Sequence, residues 1–482
     1  MDGTDEETTL LEERRSLPSS QGEDSPIAHV FRSFDIGDDK FVPAETLAGR
    51  NYLGPGFCCL VLCSILGIVL LVWSYAKLDA ILWQVDKPEY DCSTGWQENE
   101  VNITIVERAL ESGAVCLDGS PPAYLFDRGC GEGANNWLVF HEEGGWCQNA
   151  HDCLKRTYTE LGSSTMMPPR QRLEGILSSS PIDNPDFYNW NRVYLKYCDG
   201  GSFSGDVSDP MPVQRHTGFL INGTAPVVNL FFRGQRIWKA LMEELMEKGM
   251  KNAQNALLSG CSAGGLAAIL HCDQYRDLMP KTTLVKCMSD AGFFLDIPDI
   301  SGVQTIEAFY GEVVQLHGMA ETLPKYCTSE REASRCLFAE YIIPGLKTPF
   351  FMLNSAYDTW QMNNILVPSS ADPTGIWDYC KSSLSLCSDA QLKVVQGFRD
   401  SLLEKLQPLL EREKDGAFIN SCYLHCQARY TSTWNGPGSP KVDSKTSAKV
   451  VGDWYFERNS TKVVDCPFPC NPYPDIVYNW GH

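Results

Sequence analysis

From about residue 92 onward, short apolar runs bounded by turn residues alternate with longer segments of helical periodicity. NWLVFHEE (136–143), RVYLKY (192–197), NALLSG (255–260), TTLVKCMSD (282–290) and TPFFMLNSA (348–356) are apolar along most of their length, not at every second position. Strands buried on both faces, as in a parallel sheet, carry that pattern. The clearest helical segment is 228–249, where Ile237, Leu241, Leu245 and Met246 form an apolar stripe that Gly249 ends. Strands alternating with helices predict an α/β fold with a parallel sheet and helices on both faces. No linker, charge block or internal repeat interrupts this alternation, so residues 92–482 are expected to form one large domain.

The N-terminal pattern is different. Residues 57–76, FCCLVLCSILGIVLLVWSYA, carry no charge over twenty positions, enough to cross about 30 Å of hydrocarbon as a helix. The segment lies too far from the N-terminus, and ends in residues too large, for a cleaved signal peptide. It predicts a transmembrane signal-anchor, with 77–91 as a short stem. Residues 1–56 hold twelve acidic and five basic side chains and few large apolar ones, a composition that predicts a disordered acidic cytosolic tail.

Cysteine orients the anchor. Of twenty cysteines, three lie in the span, none precedes it and seventeen follow, a density suited to an oxidising compartment. The acceptor sequons at Asn102, Asn222 and Asn459 also lie beyond it. A type II single-pass protein of the secretory pathway is expected, its large domain luminal or extracellular, with retention in Golgi or vacuolar membranes compatible with the anchor. Seventeen cysteines cannot all pair within one chain, and Cys261 is the candidate for the odd thiol. The formal charge of −21 excludes nucleic acid as a partner, since phosphates need a basic footprint.

Candidate chemistry centres on GCSAGG, which follows the strand-like NALLSG and precedes the helical LAAILHCDQYRDLM. Strand, tight turn and helix are the context of a nucleophile elbow, making Ser262 the candidate nucleophile. A serine hydroxyl needs a base, and the chain order serine, acid, histidine leaves His425 as the best-placed candidate. His482 is a weaker rival, whereas His271 sits on the elbow helix and His317 leaves little chain for an intervening acid. The acid should stand just past a strand end; Asp358 fits, with Asp290 as runner-up. Ala263, directly after the nucleophile, supplies one oxyanion donor, and the HEEGGWC loop offers Gly144, Gly145 and Trp146. A zinc site around His425 in CYLHC is disfavoured in an oxidising compartment, and no cofactor is required.

Beyond the elbow, EEGGWC, YCDGGSFSGD (197–206), FFRGQRIW (231–238), SDAGFFLD (289–296) and SAYDTWQ (355–361) are long and unusual blocks. Together with GCSAGG they resemble the plant pectin acetylesterases, over nearly everything from Trp96 onward. The chain is less similar to the animal Notum carboxylesterases of the same superfamily. The resemblance implies an α/β-hydrolase-like carboxylesterase that removes acetyl groups from pectin or a related polysaccharide. It places the triad on Ser262, Asp358 and His425, and the oxyanion donors on Gly145, Trp146 and Ala263. A Notum-like lipid–protein deacylase and a non-catalytic carbohydrate-binding ectodomain are the alternatives. Beyond residue 56, acidic residues outnumber basic ones by 49 to 35, a poor global match to a polyanionic substrate unless that substrate is largely esterified or the site locally basic.

Overall fold

The computed structural model describes residues 66–71, 73–74, 100–215, 226–459 and 461–471. The chain divides into two units, Met1–Gln84 and Val85–His482. In the first, the described residues are helical. Among the described residues no helix is long and apolar enough to cross a membrane. Most of the expected span at 57–76, and all of the tail and stem, lie outside the described residues.

The second unit contains β1 (Glu100–Ile105), β2 (Ala123–Asp127), β3 (Asn136–His141), β4 (Arg170–Arg172), β5 (Asn191–Leu195), β6 (Met211–Gln214) and β7 (Val227–Leu230). It continues with β8 (Asn255–Gly260), β9 (Leu284–Asp290), β10 (Phe350–Ser355), β11 (Gly416–Asn420), β12 (Lys441–Val442), β13 (Lys445–Thr446) and β14 (Lys462–Val464). Ten of these form one sheet in the order β14-β11-β10-β9-β8-β3-β5-β2-β1-β4. The run from β14 to β5 is parallel, and β2, β1 and β4 extend it antiparallel. All five strands expected from the apolar runs are present and adjacent within the parallel part. The edge strands escaped the sequence reading because they are short or half-exposed and lack a continuous apolar run.

Alternate residues of the central strands feed two separate cores. Trp137, Val139, Ala256, Leu258, Phe350 and Met352 pack on one face. Leu138, Phe140, Leu257, Phe351 and Leu353 pack on the other. Burial of both faces is why these strands read as unbroken apolar runs. The helix expected over 228–249 spans Gly234–Glu247. Its first three residues, Val228, Asn229 and Leu230, belong to β7, which pairs antiparallel with β6; a mixed apolar run ahead of a helix does not reveal its own break.

Seven disulfides join described cysteines, including Cys116–Cys198, Cys147–Cys153, Cys272–Cys287 and Cys261–Cys426. The last corrects the expectation for Cys261, which is not a thiol. Its partner is 165 residues away in sequence and comes into reach only because the loop after β11 folds back across the ends of β10 and β9 toward β8. Asn102 and Asn459 are exposed, as glycan acceptors must be. Asn222 lies outside the described residues.

Candidate active site

Ser262, Asp358, His425 and the Gly144–Trp146 loop all lie past the C-terminal ends of parallel strands, where open α/β sheets place ligands. After β8, Cys261 bridges to Asp290 at the end of β9, and the elbow helix Ala263–Leu278 begins two residues later. Ser262 joins them with φ 57° and ψ −124°. This left-handed conformation is costly for a residue with a Cβ, and such strain clusters at functional positions. It is held by a hydrogen bond from the Ser262 amide to the Asp290 carbonyl at 2.9 Å. Close packing fixes the turn from the other side: a Cβ on Gly264 would lie 2.4 Å from the carbonyl oxygens of His141 and Glu142. The elbow therefore presses backbone to backbone against the end of β3.

The loop leaving β3 has its carbonyls tied back. Arg156 donates to the carbonyls of Gly144 at 2.6 Å and Trp146 at 2.9 Å, and the Tyr197 hydroxyl donates to that of Gly145 at 2.6 Å. Gly145 takes φ 61°, a conformation glycine adopts without strain. Among the described residues the N–H groups of Gly145, Trp146 and Ala263 have no acceptor, and Ala263 is in the first turn of a helix, where such donors are free by geometry. These are the positions to which the family resemblance assigns oxyanion donors; the loop sequence alone also offered Gly144.

A bridge behind them was not foreseen. The Trp146 indole donates to Ser202 Oγ at 2.7 Å, and that hydroxyl donates to the Ala263 carbonyl at 2.8 Å. The Ser202 amide donates to the Tyr197 hydroxyl at 2.9 Å. Ser202 thus joins the two halves of the donor set, and it too has a left-handed backbone, with φ 52°. The block YCDGGSFSGD was conspicuous in sequence, but only the folded chain shows what it touches.

His425 lies five residues beyond β11, and its Nδ1 is 2.7 Å from Asp358 Oδ2. Asp358 stands three residues past β10; its other carboxylate oxygen accepts from the Gln361 amide at 3.0 Å. Burial works against a charged His425 ring, but the Asp358 charge and hydrogen bond, with weaker help from Asp290 and Glu143, raise its pKa above the ordinary 6.5. Asp290 has a different role, since its Oδ2 accepts from the amides of Gln427 and Ala428, both at 2.6 Å. It braces the His425 loop, and burial pushes its pKa up to about 7. His271 is buried and stacked on Trp238 at 4.3 Å, and His317 is buried beside Cys147. His482 lies outside the described residues. Cys261, Cys426 and His425 converge closely enough to hold a metal ion, but the two sulfurs are bonded to each other and offer no thiolate.

Ser262 and His425 both line a cavity of about 1080 Å³, together with Gly145, Trp146, Trp360 and Phe309. One wall is aromatic. Trp146 packs edge-on against Phe294, Tyr310 and Trp360, with centroids 5.0, 5.2 and 5.7 Å away. Phe294 and Tyr310 are fully buried.

An ester hydrolase of the α/β class is the kind of protein that these elements define. More particularly, the chain belongs to the pectinacetylesterase family, whose model matches residues 95–474. It is 48% identical to pectin acetylesterase 11 of Arabidopsis thaliana over 373 residues, which are 77% of this chain and 92% of that protein. Pectin acetylesterase 7 of the same plant is 47% identical with the same coverage. Palmitoleoyl-protein carboxylesterase notum1 of Xenopus laevis is 30% identical, over 59% of this chain and 57% of its own. The crystal structure of the Wnt deacylase Notum from Drosophila shares the fold, with TM-score 0.63, at 23% identity, covering 78% of this chain and all of that one.

Proposed function

We propose that this protein hydrolyses acetyl esters of pectin, with Ser262 as nucleophile. Ser262 Oγ bonds to the acetyl carbon as its proton passes to His425 Nε2, and Asp358 holds the ring by Nδ1 and stabilises the imidazolium. The N–H groups of Gly145, Trp146 and Ala263 receive the oxyanion. The C–O bond to the sugar then breaks and the sugar oxygen takes the proton. Water repeats the sequence on the acetyl-enzyme: its proton goes to His425, its oxygen to the acetyl carbon, and acetic acid leaves as Ser262 regains a hydrogen. The observation that carries this reading is the His425–Asp358 hydrogen bond at the edge of the cavity that Ser262 also lines.

The acyl group is read as acetyl because the relatives of 48 and 47% identity are pectin acetylesterases, matched over 77% of this chain, whereas the palmitoleoyl-protein carboxylesterase is 30% identical over 59% of it. We also propose that residues 57–76 anchor the protein in a membrane of the secretory pathway as a type II protein, with 92–482 luminal or extracellular. The disulfides support that side of the membrane.

The test is to incubate the protein with acetylated pectin, acetylated xylan and a long-chain acyl ester, and to measure the acid released from each. Acetate from pectin, lost on Ser262→Ala in a protein that still folds, is the expected result. Release of the long acyl chain in preference to acetate would refute the substrate reading, and a fully active Ser262→Ala would refute the mechanism.

A further inference from the structure

Among the described residues that line the catalytic cavity, Arg156 is the one lysine or arginine. Its Nη1 donates to the Gly144 carbonyl at 2.6 Å and its Nη2 to the Trp146 carbonyl at 2.9 Å. It keeps its charge and further N–H groups in that position, so contact with substrate and support of the loop are both open to it chemically. What the loop needs decides between them.

A peptide unit is planar and trans, so its C=O and N–H point in opposite directions. The Gly144 carbonyl shares a peptide with the Gly145 N–H, and the Gly145 carbonyl shares one with the Trp146 N–H. Holding each carbonyl back therefore aims an oxyanion donor forward. The second of these peptides has two restraints: the Tyr197 hydroxyl donates to the Gly145 carbonyl at 2.6 Å, and the Trp146 side chain is wedged among Phe294, Tyr310 and Trp360. The first has one. It lies between two glycines, and both are required: a Cβ on Gly144 would be 2.3 Å from the Tyr197 ring, and Gly145 has φ 61°. With no side chain on either flank, this peptide turns over more readily than any other in the loop. Turned over, it would withdraw the Gly145 N–H and put a carbonyl oxygen where the oxyanion forms. Among the described residues Arg156 is the one donor to the Gly144 carbonyl.

The arginine is itself fixed. It ends the helix Ala150–Arg156, which the Cys147–Cys153 disulfide ties to the loop. Its own carbonyl accepts from the amide and the hydroxyl of Thr159, both at 2.9 Å, and a Cβ on Gly162 would lie 2.5 Å from the same oxygen. A planar fork suits two carbonyls two residues apart, and its charge strengthens both bonds.

We propose that Arg156 is a positioning residue of the oxyanion hole: it holds the Gly144–Gly145 peptide with its N–H toward the reacting oxygen, and it is not a cation that binds substrate. This rests on the serine mechanism proposed above.

The test measures kcat and KM of Arg156→Ala and Arg156→Lys on acetylated pectin and on a small neutral acetyl ester, which has no anion for a cation to bind. Folding is checked by circular dichroism. The second readout is the affinity of a small trifluoromethyl ketone: Ser262 Oγ adds to its carbonyl carbon, the serine proton passes to His425, and the new oxyanion occupies the hole. Arg156→Ala is expected to lower kcat on the neutral ester by about 10², the size of one lost oxyanion donor, with KM within about threefold. Ketone affinity should fall by the same factor as kcat/KM. Arg156→Lys should retain part of the activity, and millimolar guanidinium should restore part of it to Arg156→Ala. Should Arg156→Ala fail to fold, Arg156→Lys carries the test, with kcat and ketone affinity expected to fall together by about tenfold, since a lysine lacks the two-pronged fork. A higher KM on pectin alone, with the neutral ester and the ketone unaffected, would overturn the proposal and make Arg156 a substrate contact. A loss that neither lysine nor guanidinium reverses would overturn it too, as general damage to the fold. A ketone that fails to inhibit the wild type would remove the serine mechanism and this inference with it.

Discussion

The two buried aspartates near His425 separate a chemical role from a structural one, and removing their charges one at a time tests the assignment. Asp358→Asn preserves size but replaces the carboxylate 2.7 Å from His425 Nδ1 with a neutral amide. In the transition state the ring is an imidazolium, with its charge centre roughly 4 Å from that of the carboxylate. At an effective dielectric of about 20 the lost attraction is about 4 kcal/mol, or roughly 10³ in kcat at 1.36 kcal/mol per decade. Asp290→Asn removes no contact with the ring. Its two backbone donors still meet an oxygen, and burial already pushes this carboxyl to about 7, so the amide resembles the neutral form present at moderate pH. A fall in kcat of under about tenfold, with some loss of thermal stability, is expected from weakening two charge-assisted bonds. The assay is kcat on a small acetyl ester, after circular dichroism shows that each variant is folded. If Asp290→Asn is the inactive variant and Asp358→Asn keeps near-normal kcat, the argument fails at the choice of acid.

Four further outcomes are expected. Because Asp358 holds the His425 pKa above 6.5 and catalysis needs the neutral ring, kcat/KM should fall as pH drops through a value above 6.5; Asp358→Asn should move that acid limb downward, and an unmoved limb would assign it to another group. Raised in the folded state, the same ring contributes stability that is full below its unfolded pKa and is lost as pH rises through the folded one, so the thermal midpoint should decline over that interval in wild type and less in the variant. Ser202→Ala strands the buried Trp146 indole donor and cuts the link to the Ala263 carbonyl; about tenfold lower kcat with little change in KM is expected, and a change confined to KM would contradict an oxyanion-positioning role. Glycans should be found by mass spectrometry on exposed Asn102 or Asn459 of protein from a secretory host, and their absence from every sequon would count against a luminal domain.

How much of this was legible in the sequence follows from the range of the contacts involved. The five central strands and the elbow announce themselves within a few residues, since burial on both faces and a glycine-lined turn are local demands. Ser262, Asp358 and His425 could be ordered because each follows a strand-like run or sits late in the chain. The role of Asp290 was not readable: a carboxylate at a strand end looks the same whether it faces an imidazole or two amides of a loop 137 residues on. Arg156, Tyr197 and Ser202 escaped for the same reason, as each acts on backbone brought near only by folding. Cys261 was misread because its neighbour in space comes from beyond three further strands.

That same bond makes the stretch from 261 to 426 a closed ring, containing β9, β10 and β11 and sealed at the point where Ser262 and His425 lie next to its ends. A ring of this size restricts the unfolded chain by about 5 kcal/mol in the chain-entropy view. It also constrains how the enzyme can die. With the ring closed, Ser262 and His425 cannot drift apart by fraying of one loop, so heat should abolish activity and global structure at the same temperature. With the ring opened by Cys426→Ser, the two residues ride on independent loop ends, and activity should disappear first, from a molecule whose sheet is still intact.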